Sequence, residues 1–290
     1  MSPVSSPEAT LSDANFERVR AYFYNHTGIQ FTATKRYFVD KRVASCISDS
    51  GEPTFGAWFA ALHLGTRPEL SQQLVNQLTV NETYFLREDY QFDSLLTSVL
   101  PRVMADRRRL GRDGPIRIMS LPCSTGEEPY SIALRLLAEW PLIDEVDVEI
   151  HAGDIDSAVL ASARNGVYGS RSLQRVPLAW RERYFQPVDD DRYQVNRTIR
   201  DAVTFSKVNV CDTAQMSAYA DFDAIFCRNV LIYFDPLSCR RAAENLYGAL
   251  RPGGYLFLGH SESMSRISPI FNPVRLPEGI AYQRSTGAQS

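Results

Sequence analysis

The sequence predicts two parts of different class, an all-helical N-terminal domain followed by an α/β domain with a Rossmann-like sheet. Residues 11–77 contain a series of helical patterns of apolar residues. From residue 114 onward, short apolar runs typical of buried strands alternate with helical patterns. The period changes from strand to helix across a short loop at residues 121–126. Such a loop at the carboxyl end of a strand is where open α/β sheets bind ligands.

The N-terminal domain follows a polar stretch, residues 1 to about 10, which we expect to be disordered. Ser12 or Asp13 can cap its first helix, which carries apolar residues on one side. A small helical domain over residues 11–77 is therefore expected. Three further helical patterns complete it, over Thr34 to Ile47, Thr54 to Leu64 and Pro68 to Gln77.

The second of these helices is basic and contains Asp40 as its only acid among the cations. One interpretation is a solvated helix face, which is what charge runs usually form. The other is a docking surface for an acidic partner. The sequence alone favours the solvated face. The cations are Lys35, Arg36, Lys41 and Arg42.

Residues 78–113 are expected to connect the two domains. The segment Asn81-Glu82-Thr83-Tyr84-Phe85-Leu86-Arg87 leads into a predicted helix from about Asp89 to Asp106. A basic cluster follows before the α/β domain starts at Gly114: Arg107, Arg108, Arg109 and Arg112.

The strand, loop and helix at Pro115 to Ala133 indicate the kind of ligand. A dinucleotide fold would place a G-x-G-x-x-G motif here to seat a pyrophosphate on the helix N-terminus. Only Gly126 is present, and Glu127 and Glu128 follow it directly. Two carboxylates repel a phosphate but suit an amino group, as in S-adenosylmethionine, which carries an ammonium and a sulfonium. Equally, two acids in a first helical turn can simply favour the helix dipole.

Two aspartates follow the second predicted strand, Val146 to Gly153. An acid at the end of this strand is where nucleoside-binding α/β folds hold the ribose hydroxyls. Asp154 is the better candidate, because Asp156 is placed to cap a helix that starts near Ser157. Helix capping by both aspartates is the alternative.

The rest of the chain continues the alternation of strands and helices, with one interruption. Residues 166–201 predict a short antiparallel insert, with Asp189-Asp190-Asp191 in a turn. Five β-α units closed by a hairpin match the layout of Rossmann-like methyltransferases. The remaining strands are predicted at Val203 to Val208, Phe222 to Cys227 and Tyr255 to Gly259, and the hairpin between about Phe271 and Tyr282.

Composition excludes several classes of protein. With 31 Lys and Arg against 34 Asp and Glu, the net charge of −3 is not that of a nucleic-acid binder. The five cysteines form no C-x-x-C pair and the four histidines lack metal-ligand spacing, so we expect neither a disulfide framework nor a metal. No apolar run resembles a signal peptide or a membrane span. We therefore expect a cytoplasmic protein that is not membrane-inserted.

Five motifs follow one another along the chain: Asn81-Glu82-Thr83-Tyr84-Phe85-Leu86-Arg87-Glu88, Cys123-Ser124-Thr125-Gly126-Glu127-Glu128-Pro129-Tyr130-Ser131, Gly153-Asp154-Ile155-Asp156, Phe226-Cys227-Arg228-Asn229-Val230-Leu231-Ile232-Tyr233-Phe234-Asp235 and Gly259-His260-Ser261-Glu262. In order and spacing they resemble those of one family, the CheR-type chemoreceptor glutamate methyltransferases, and the resemblance runs from about residue 12 to 284. It implies an enzyme that moves a methyl group from S-adenosylmethionine to glutamate side chains on cytoplasmic receptor helices, leaving S-adenosylhomocysteine.

The resemblance also implies roles for residues at the matching positions. Arg87 and Tyr233 would be catalytic and would orient the incoming carboxylate, which is already ionised at pH 7 and needs no general base. Glu127 would hold the methionine ammonium, and Asp154 the ribose. The other implied cofactor-binding residues are Asn81, Thr83 and Arg87 from the linker, Asn209 and Val210 around the adenine, and Arg228 and Asn229 at the transfer end.

Alternatives remain for Arg87 and for the function. Arg87 can instead form an ion pair with Glu88 or Asp89. A rival from another class is a methyltransferase-like scaffold that docks on receptors without turnover, although the intact site residues count against it. An enzymatic rival is a methyltransferase that acts on a small molecule or a nucleic acid.

The resemblance finally bears on partners. Receptor methylation helices in this family are acidic, which favours docking on the basic helix, and we expect a monomer. Some members pair a strand edge of the insert, next to a glycine-containing loop, with a receptor C-terminal pentapeptide. Residues 186–195 contain no glycine and place three acids in the turn. We therefore do not expect this tether.

Overall fold

The computed structural model describes residues 10–286, which divide into two compact units. The first contains the chain up to Val80 together with Tyr233–Asp235, and the second contains Asn81–Ile232 and the chain from Pro236 onward. The disordered tail expected at residues 1 to about 10 lies outside the described residues, apart from Thr10. In the described part of the chain, no helix is both long and apolar enough to cross a membrane.

The first unit is helical, and its helices begin and end at residues suited to those positions. Ser12 accepts a hydrogen bond from Asn15 N at the start of the first helix, and Thr54 accepts one from Ala57 N at the start of the third. Glycines in the left-handed conformation follow the first three helices. The helices are α1 (Asp13–Thr27), α2 (Arg36–Ser50), α3 (Phe55–Leu64) and α4 (Pro68–Leu78).

The second unit combines helices and strands around one large hydrophobic core. Its α-helices are α5 (Tyr90–Ser94), α6 (Leu100–Leu110), α7 (Glu127–Glu139), α8 (Ser157–Asn165), α9 (Leu178–Tyr184), α10 (Arg197–Asp201), α11 (Thr213–Met216) and α12 (Pro236–Ala249). Its strands are β1 (Ile116–Ser120), β2 (Val148–Asp154), β3 (Val167–Gly169), β4 (Phe185–Pro187), β5 (Arg192–Val195), β6 (Val203–Lys207), β7 (Phe222–Cys227), β8 (Leu250–Leu258), β9 (Phe271–Leu276) and β10 (Gly279–Arg284).

The main sheet has seven strands in the order β6-β2-β1-β7-β8-β10-β9. The strands from β6 to β8 in this order are parallel, and β10 and β9 close the sheet as an antiparallel hairpin. Ser120 at the end of β1 is in register with Ala152 of β2 and Phe226 of β7. The carboxyl ends of these strands therefore meet at one edge, and the predicted Rossmann-like fold is confirmed.

A second sheet confirms the predicted antiparallel insert. Its three strands have the order β3-β5-β4. Phe85 joins the insert to the segment before α5, since its N–H donates to Ser172 O at 3.1 Å. Its ring lies edge to face with Tyr168 and Phe185, with centroids 4.8 and 5.4 Å away.

The connecting helix predicted from Asp89 to Asp106 is interrupted by a π-helical turn, Leu95–Val99. Leu100 N donates to Leu95 O, five residues back instead of four. The cause is Pro101, which has no N–H and whose ring would clash with the carbonyl of Thr97 in a regular helix. A wider turn removes this clash.

Strand β8 also differs from the prediction, since it begins at Leu250 and not at Tyr255. Its pairing with β7 shifts register between Phe222 and Ala224, which is a β-bulge. Gly253, with φ of +80°, provides the backbone conformation that the irregular stretch requires. The sequence at the start of β8 predicts a turn because it contains Pro and Gly.

Candidate functional site

The loop between β1 and α7 is tied to the end of β2 by backbone hydrogen bonds. Cys123 N donates to Gly153 O at 2.7 Å, and Ser124 N donates to Asp154 Oδ2 at 2.8 Å. Ser124 Oγ in turn donates to Asn81 O at 3.2 Å. The loop, the second strand and the segment before α5 therefore form one site at the edge of the sheet.

Gly126 closes this loop, and no other residue fits its place. Its φ is +97°, and a Cβ would lie 2.9 Å from both Ala163 Cβ and the Tyr168 hydroxyl. The positive φ is a backbone conformation that glycine adopts readily. The close approach that also requires glycine is made by the protein itself.

Glu127, the first residue of α7, is a buried carboxylate with hydroxyl partners. It is 4% exposed, and Thr125 Oγ1 and Ser172 Oγ donate to its two oxygens at 2.6 and 2.8 Å. Over residues 10–286 no cationic side chain pairs with it. Burial raises the pKa of Glu127 above its ordinary value, although the two hydroxyls favour the ionised form.

Asp154, the last residue of β2, is the second buried carboxylate at this edge. It accepts backbone hydrogen bonds from Ser124 N and Asp156 N, at 2.8 and 2.9 Å. Burial raises the pKa of Asp154 to about 6, even though these N–H groups favour the ionised form. Asp156 caps α8, as predicted, by accepting from Ala158 N and Val159 N.

Four other predicted cofactor-binding residues lie next to these carboxylates or at the end of a strand. Asn81 Nδ2 donates to Asp156 Oδ2 at 2.9 Å, and Thr83 is half-buried in the segment that follows Asn81. Asn209 and Val210 are buried in the loop after β6. Their roles toward a cofactor stay predictions.

Arg87 lies in a turn with unusual backbone conformation. Its neighbours Leu86 and Glu88 have φ of +58° and +54°, which residues other than glycine rarely adopt. Arg87 Nη1 donates to Glu82 O at 2.8 Å, and the guanidinium lies 5.9 Å from the centroid of the Tyr84 ring. The remaining donors of Arg87 form no hydrogen bond within residues 10–286.

The alternative considered for Arg87, an ion pair with Glu88 or Asp89, is not formed among the described residues. Asp89 pairs with Arg135 at 3.2 Å, and Glu88 lies 3.5 Å from Arg228. The reason is that the turn directs these neighbouring side chains to partners far away in the sequence.

Arg228, predicted at the transfer end, is buried between two acids. Its Nη1 lies 3.2 Å from Glu128 Oε2, and its Nη2 lies 3.5 Å from Glu88 Oε2 and donates to Arg87 O at 2.5 Å. Burial raises the pKa of Glu128, although Arg228 opposes this. Burial would also raise the pKa of Glu88, but His260, 2.8 Å away, and Arg228 outweigh it and lower that pKa.

Asn229 lies in a loop that a single carboxylate holds in place. Glu262 accepts hydrogen bonds of 2.8–2.9 Å from the backbone N–H groups of Asn229, Val230, Leu231 and Gly259. We assigned no role to Glu262 from the sequence, because a lone glutamate in a loop forms no pattern. What the sequence offered as an indication of its importance is that Glu262 belongs to one of the five motifs, Gly259-His260-Ser261-Glu262.

Tyr233, the other predicted catalytic residue, belongs by its contacts to the helical unit. Its carbonyl accepts a hydrogen bond from Gln30 N at 3.0 Å. Asp235 in the same short segment accepts one from Tyr24 Oη at 3.0 Å. The role of Tyr233 in methyl transfer stays a prediction.

Arg36 is already paired within the helical unit, which corrects the expectation that it belongs to a docking surface with Lys35, Lys41 and Arg42. Its guanidinium contacts Asp13 Oδ1 at 2.5 Å, Asp40 Oδ2 at 3.5 Å and the carbonyl of Leu11. These acceptors belong to the start of α1 and to the next turn of α2, so Arg36 joins the two helices.

The other three predicted docking cations are exposed. Lys35 lies in a 3-10 turn, Ala33–Lys35, that precedes α2 and was not predicted. Lys41 and Arg42 lie on α2, and Arg42 Nη1 also donates to Gln77 Oε1 at 3.3 Å. The basic surface is therefore formed by Lys35, Lys41 and Arg42, with Arg42 partly engaged.

Within residues 10–286, no group of three or more His, Cys, Asp or Glu side chains is arranged to hold a metal ion. The two carboxylates without a cationic partner suit a ligand that carries positive charge.

Two family models match nearly the whole chain. The model described as CheR methyltransferase, all-alpha domain, matches residues 14–79. The model described as CheR methyltransferase, SAM binding domain, matches residues 81–280.

Curated relatives agree with these matches. The chain is 46% identical to chemotaxis protein methyltransferase 2 of Vibrio cholerae over 96% of this chain and 95% of that protein. It is 36% identical to chemotaxis protein methyltransferase 2 of Pseudomonas aeruginosa, over 94% and 97% of the two chains. It is 33% identical to the chemotaxis protein methyltransferase of Borreliella burgdorferi, over 88% and 89%.

Proposed function

The chain belongs to the CheR methyltransferase family, and we propose that it transfers a methyl group from S-adenosylmethionine to glutamate side chains of chemoreceptors in the cytoplasm, forming methyl esters. The names of its relatives, chemotaxis protein methyltransferases, support a role in chemotaxis. The five motifs of the resembled family support the choice of glutamate as the methylated residue.

The choice of S-adenosylmethionine as the cofactor rests on the pair of buried carboxylates, Glu127 and Asp154, at one edge of the sheet. Both have a pKa raised by burial, and in residues 10–286 neither is paired with a cationic side chain. A ligand with positive charge would stabilise their ionised forms. S-adenosylmethionine supplies such charge, and its methyl group is carried on a positively charged sulfur.

Each carboxylate can still accept a hydrogen bond after its present partners are counted. A carboxylate has about four acceptor positions, and the two hydroxyls on Glu127 use only part of them. We assign the ammonium to Glu127 and a ribose hydroxyl to Asp154. Asn81, Thr83, Asn209 and Val210 would line the rest of the pocket, as the family resemblance implies.

The main contribution of the protein to methyl transfer is to place the substrate carboxylate in line with the methyl group. The substrate carboxylate is ionised at pH 7 and attacks the methyl carbon without a general base. Arg87 has donors to spare and can orient that carboxylate by paired hydrogen bonds. The binding must be moderate, because a tight ion pair in the ground state would slow the attack. Tyr233 is assigned to the same step.

Docking of the receptor is assigned to the exposed cations Lys35, Lys41 and Arg42. They match the acidic helices that the family methylates, and opposite charge raises the rate of association. Arg36 is omitted, because Asp13 and Asp40 already neutralise it.

The test is transfer of radiolabel from S-adenosylmethionine to a panel of receptor cytoplasmic fragments. We expect label that mild base releases, since methyl esters are base-labile and methylated amines are not. Label that resists base, or label found only on a small molecule or nucleic acid, would favour another methyltransferase class. Binding of the fragment without any label would favour the non-catalytic scaffold.

A further inference from the structure

We propose that Arg228 is a positioning residue, which holds the turn carrying Arg87 and does not contact the cofactor. This inference rests on the proposed function, in which Arg87 orients the substrate carboxylate. It reassigns Arg228 from the cofactor pocket to the support of a catalytic residue. Two features of the molecule support this role: the backbone conformation of residues 86–88 and the partners of Arg228.

The turn that carries Arg87 is strained. Leu86 and Glu88 both adopt positive φ, at +58° and +54°, on either side of Arg87. Residues with a Cβ hold this conformation only where the surrounding structure imposes it. If the turn relaxed, the Cα of Arg87 and the direction of its side chain would change.

Backbone groups of all three residues are held by different elements. Leu86 N donates to Ser131 Oγ of α7 at 2.9 Å, and Gln91 N of α5 donates to Glu88 O at 3.0 Å. Between them, Arg228 Nη2 donates to Arg87 O at 2.5 Å. Arg228 is therefore the side chain that fixes the central peptide of the turn.

Arg228 is itself fixed from both sides. Its side chain is 2% exposed and lies between Glu128, 3.2 Å away, and Glu88, 3.5 Å away. Ser120 Oγ at the end of β1 donates to Glu128 Oε1 at 2.7 Å. Arg228 directly follows β7, and Ser120 ends β1. The network therefore anchors the turn to the ends of these two central strands.

The same network makes the Nη groups of Arg228 poor direct partners for the cofactor, while its Nε is buried without a hydrogen-bond partner among the described residues. Its charge is neutralised by Glu88 and Glu128, which are both within 3.5 Å. Both Nη groups already face protein acceptors. In addition, a guanidinium beside a sulfonium would place two like charges together, which is unfavourable.

The test uses Arg228→Lys in the full chain, because lysine keeps the positive charge but cannot reach several acceptors at once. We expect kcat for methylation of a receptor fragment to fall by about 10-fold to 100-fold, the size of effect that a misplaced catalytic group produces. The Kd for S-adenosylhomocysteine, measured by calorimetry, should rise no more in Arg228→Lys than in Arg87→Ala, because Arg87 is itself an implied cofactor-binding residue.

A double-mutant cycle with Arg87→Ala separates positioning from an independent role. If Arg228 acts only through Arg87, then Arg87→Ala/Arg228→Lys should be as slow as Arg87→Ala alone. The matched control is Arg251→Lys, another buried arginine, paired with Asp223 at 2.5 Å. It should lower the melting temperature and leave kcat unchanged.

Three results would overturn the inference: S-adenosylhomocysteine binding that is weaker in Arg228→Lys than in Arg87→Ala, losses of rate that multiply in the double mutant, or an equal loss of kcat in Arg251→Lys. If Arg228→Lys does not fold, Ser131→Ala is used in its place. It removes the hydrogen bond from Leu86 N in the same turn, and it is combined with Arg87→Ala in the same double-mutant cycle. A wild-type chain that forms no base-labile ester on any receptor fragment would refute the proposed function itself. Ester formation by the wild type together with any of the three results would refute only the role of Arg228.

Discussion

At the scale of single residues, we expect cofactor binding to depend on Glu127 and Asp154. We expect Glu127→Ala and Asp154→Ala each to weaken S-adenosylmethionine binding by about 1–3 kcal/mol, because each removes a charged hydrogen-bond partner. S-adenosylhomocysteine keeps both contacts and should bind at least comparably. Calorimetry measures both ligands, with Glu139→Ala at the exposed end of α7 as the control. Unchanged affinity in both variants would remove the two residues from the pocket.

The raised pKa of Asp154 predicts how cofactor affinity changes with pH. The free carboxyl has a pKa of about 6, and a ribose hydroxyl that donates a hydrogen bond to it favours its ionised form. Binding below this pKa therefore releases a proton, and affinity should fall by up to about tenfold per pH unit as the pH drops below about 6. Above about pH 7 the affinity should be constant. Calorimetry with S-adenosylhomocysteine in buffers from about pH 5 to 7.5 tests this. A flat profile, or the same slope in Asp154→Asn, would contradict the assignment.

Among the elements, the loop after β7 depends on one carboxylate from the loop after β8. Glu262→Ala would leave the N–H groups of Asn229, Val230, Leu231 and Gly259 without their acceptor. We expect the free energy of unfolding to fall by roughly 2–3 kcal/mol, since part-buried donors lose a charged partner. Urea denaturation measures the change.

The control for this loop is Glu244→Ala, which removes an exposed glutamate of α12. It should leave the free energy of unfolding nearly unchanged, because exposed substitutions have small effects. Equal stability of the Glu262 and Glu244 variants would mean that solvent replaces the carboxylate without loss.

The basic surface formed by Lys35, Lys41 and Arg42 is expected to speed association with the receptor. Reversing Lys35 and Lys41 to Glu should slow association with a receptor fragment and leave S-adenosylhomocysteine binding unchanged. The difference from wild type should shrink as salt rises, because salt screens exposed charges. Stopped-flow measurement of the association rate tests this. Arg108→Glu with Arg109→Glu makes the same change in net charge elsewhere, and an equal slowing by that pair would refute a local docking role.

For the whole molecule, the insert bears on whether the chain binds a receptor tail. Strand β4 pairs with β5 and ends at Pro187, which has no N–H to offer an added strand. In the following turn, the Arg192 guanidinium bonded to Asp189 lowers the pKa of that carboxyl, although burial opposes this. Asp190 and Asp191 add two further acids to the turn, which disfavours an acidic peptide.

We therefore expect no micromolar binding of receptor C-terminal pentapeptides to the purified protein. Titration by calorimetry or fluorescence anisotropy checks this, and the same peptide with its sequence scrambled is the control. Micromolar binding that persists after deletion of residues 1–77 would show that the insert does use a tail tether.

Much of the fold could be predicted from local patterns in the sequence. The period of apolar residues distinguishes helices from strands because side chains repeat every 3.6 or 2 residues. Capping is equally local, so the roles of Ser12 and Asp156 at the starts of α1 and α8 followed from their neighbours. The π turn before Pro101 and the bulge in β8 could not be predicted in this way, since each depends on how the backbone relieves a clash or pairs with another strand.

The fold class, the loop at the edge of the sheet and the positions of two acids, Glu127 at the start of α7 and Asp154 at the end of β2, could be predicted from the sequence. The partners of the charged side chains could not, because they depend on the folded chain. Arg228 reaches the carbonyl of Arg87 across 141 positions, and His260 reaches Glu88 across 172. The physical reason is that periodicity and capping depend on a few neighbouring residues, whereas ion pairs depend on which distant segments the sheet brings together.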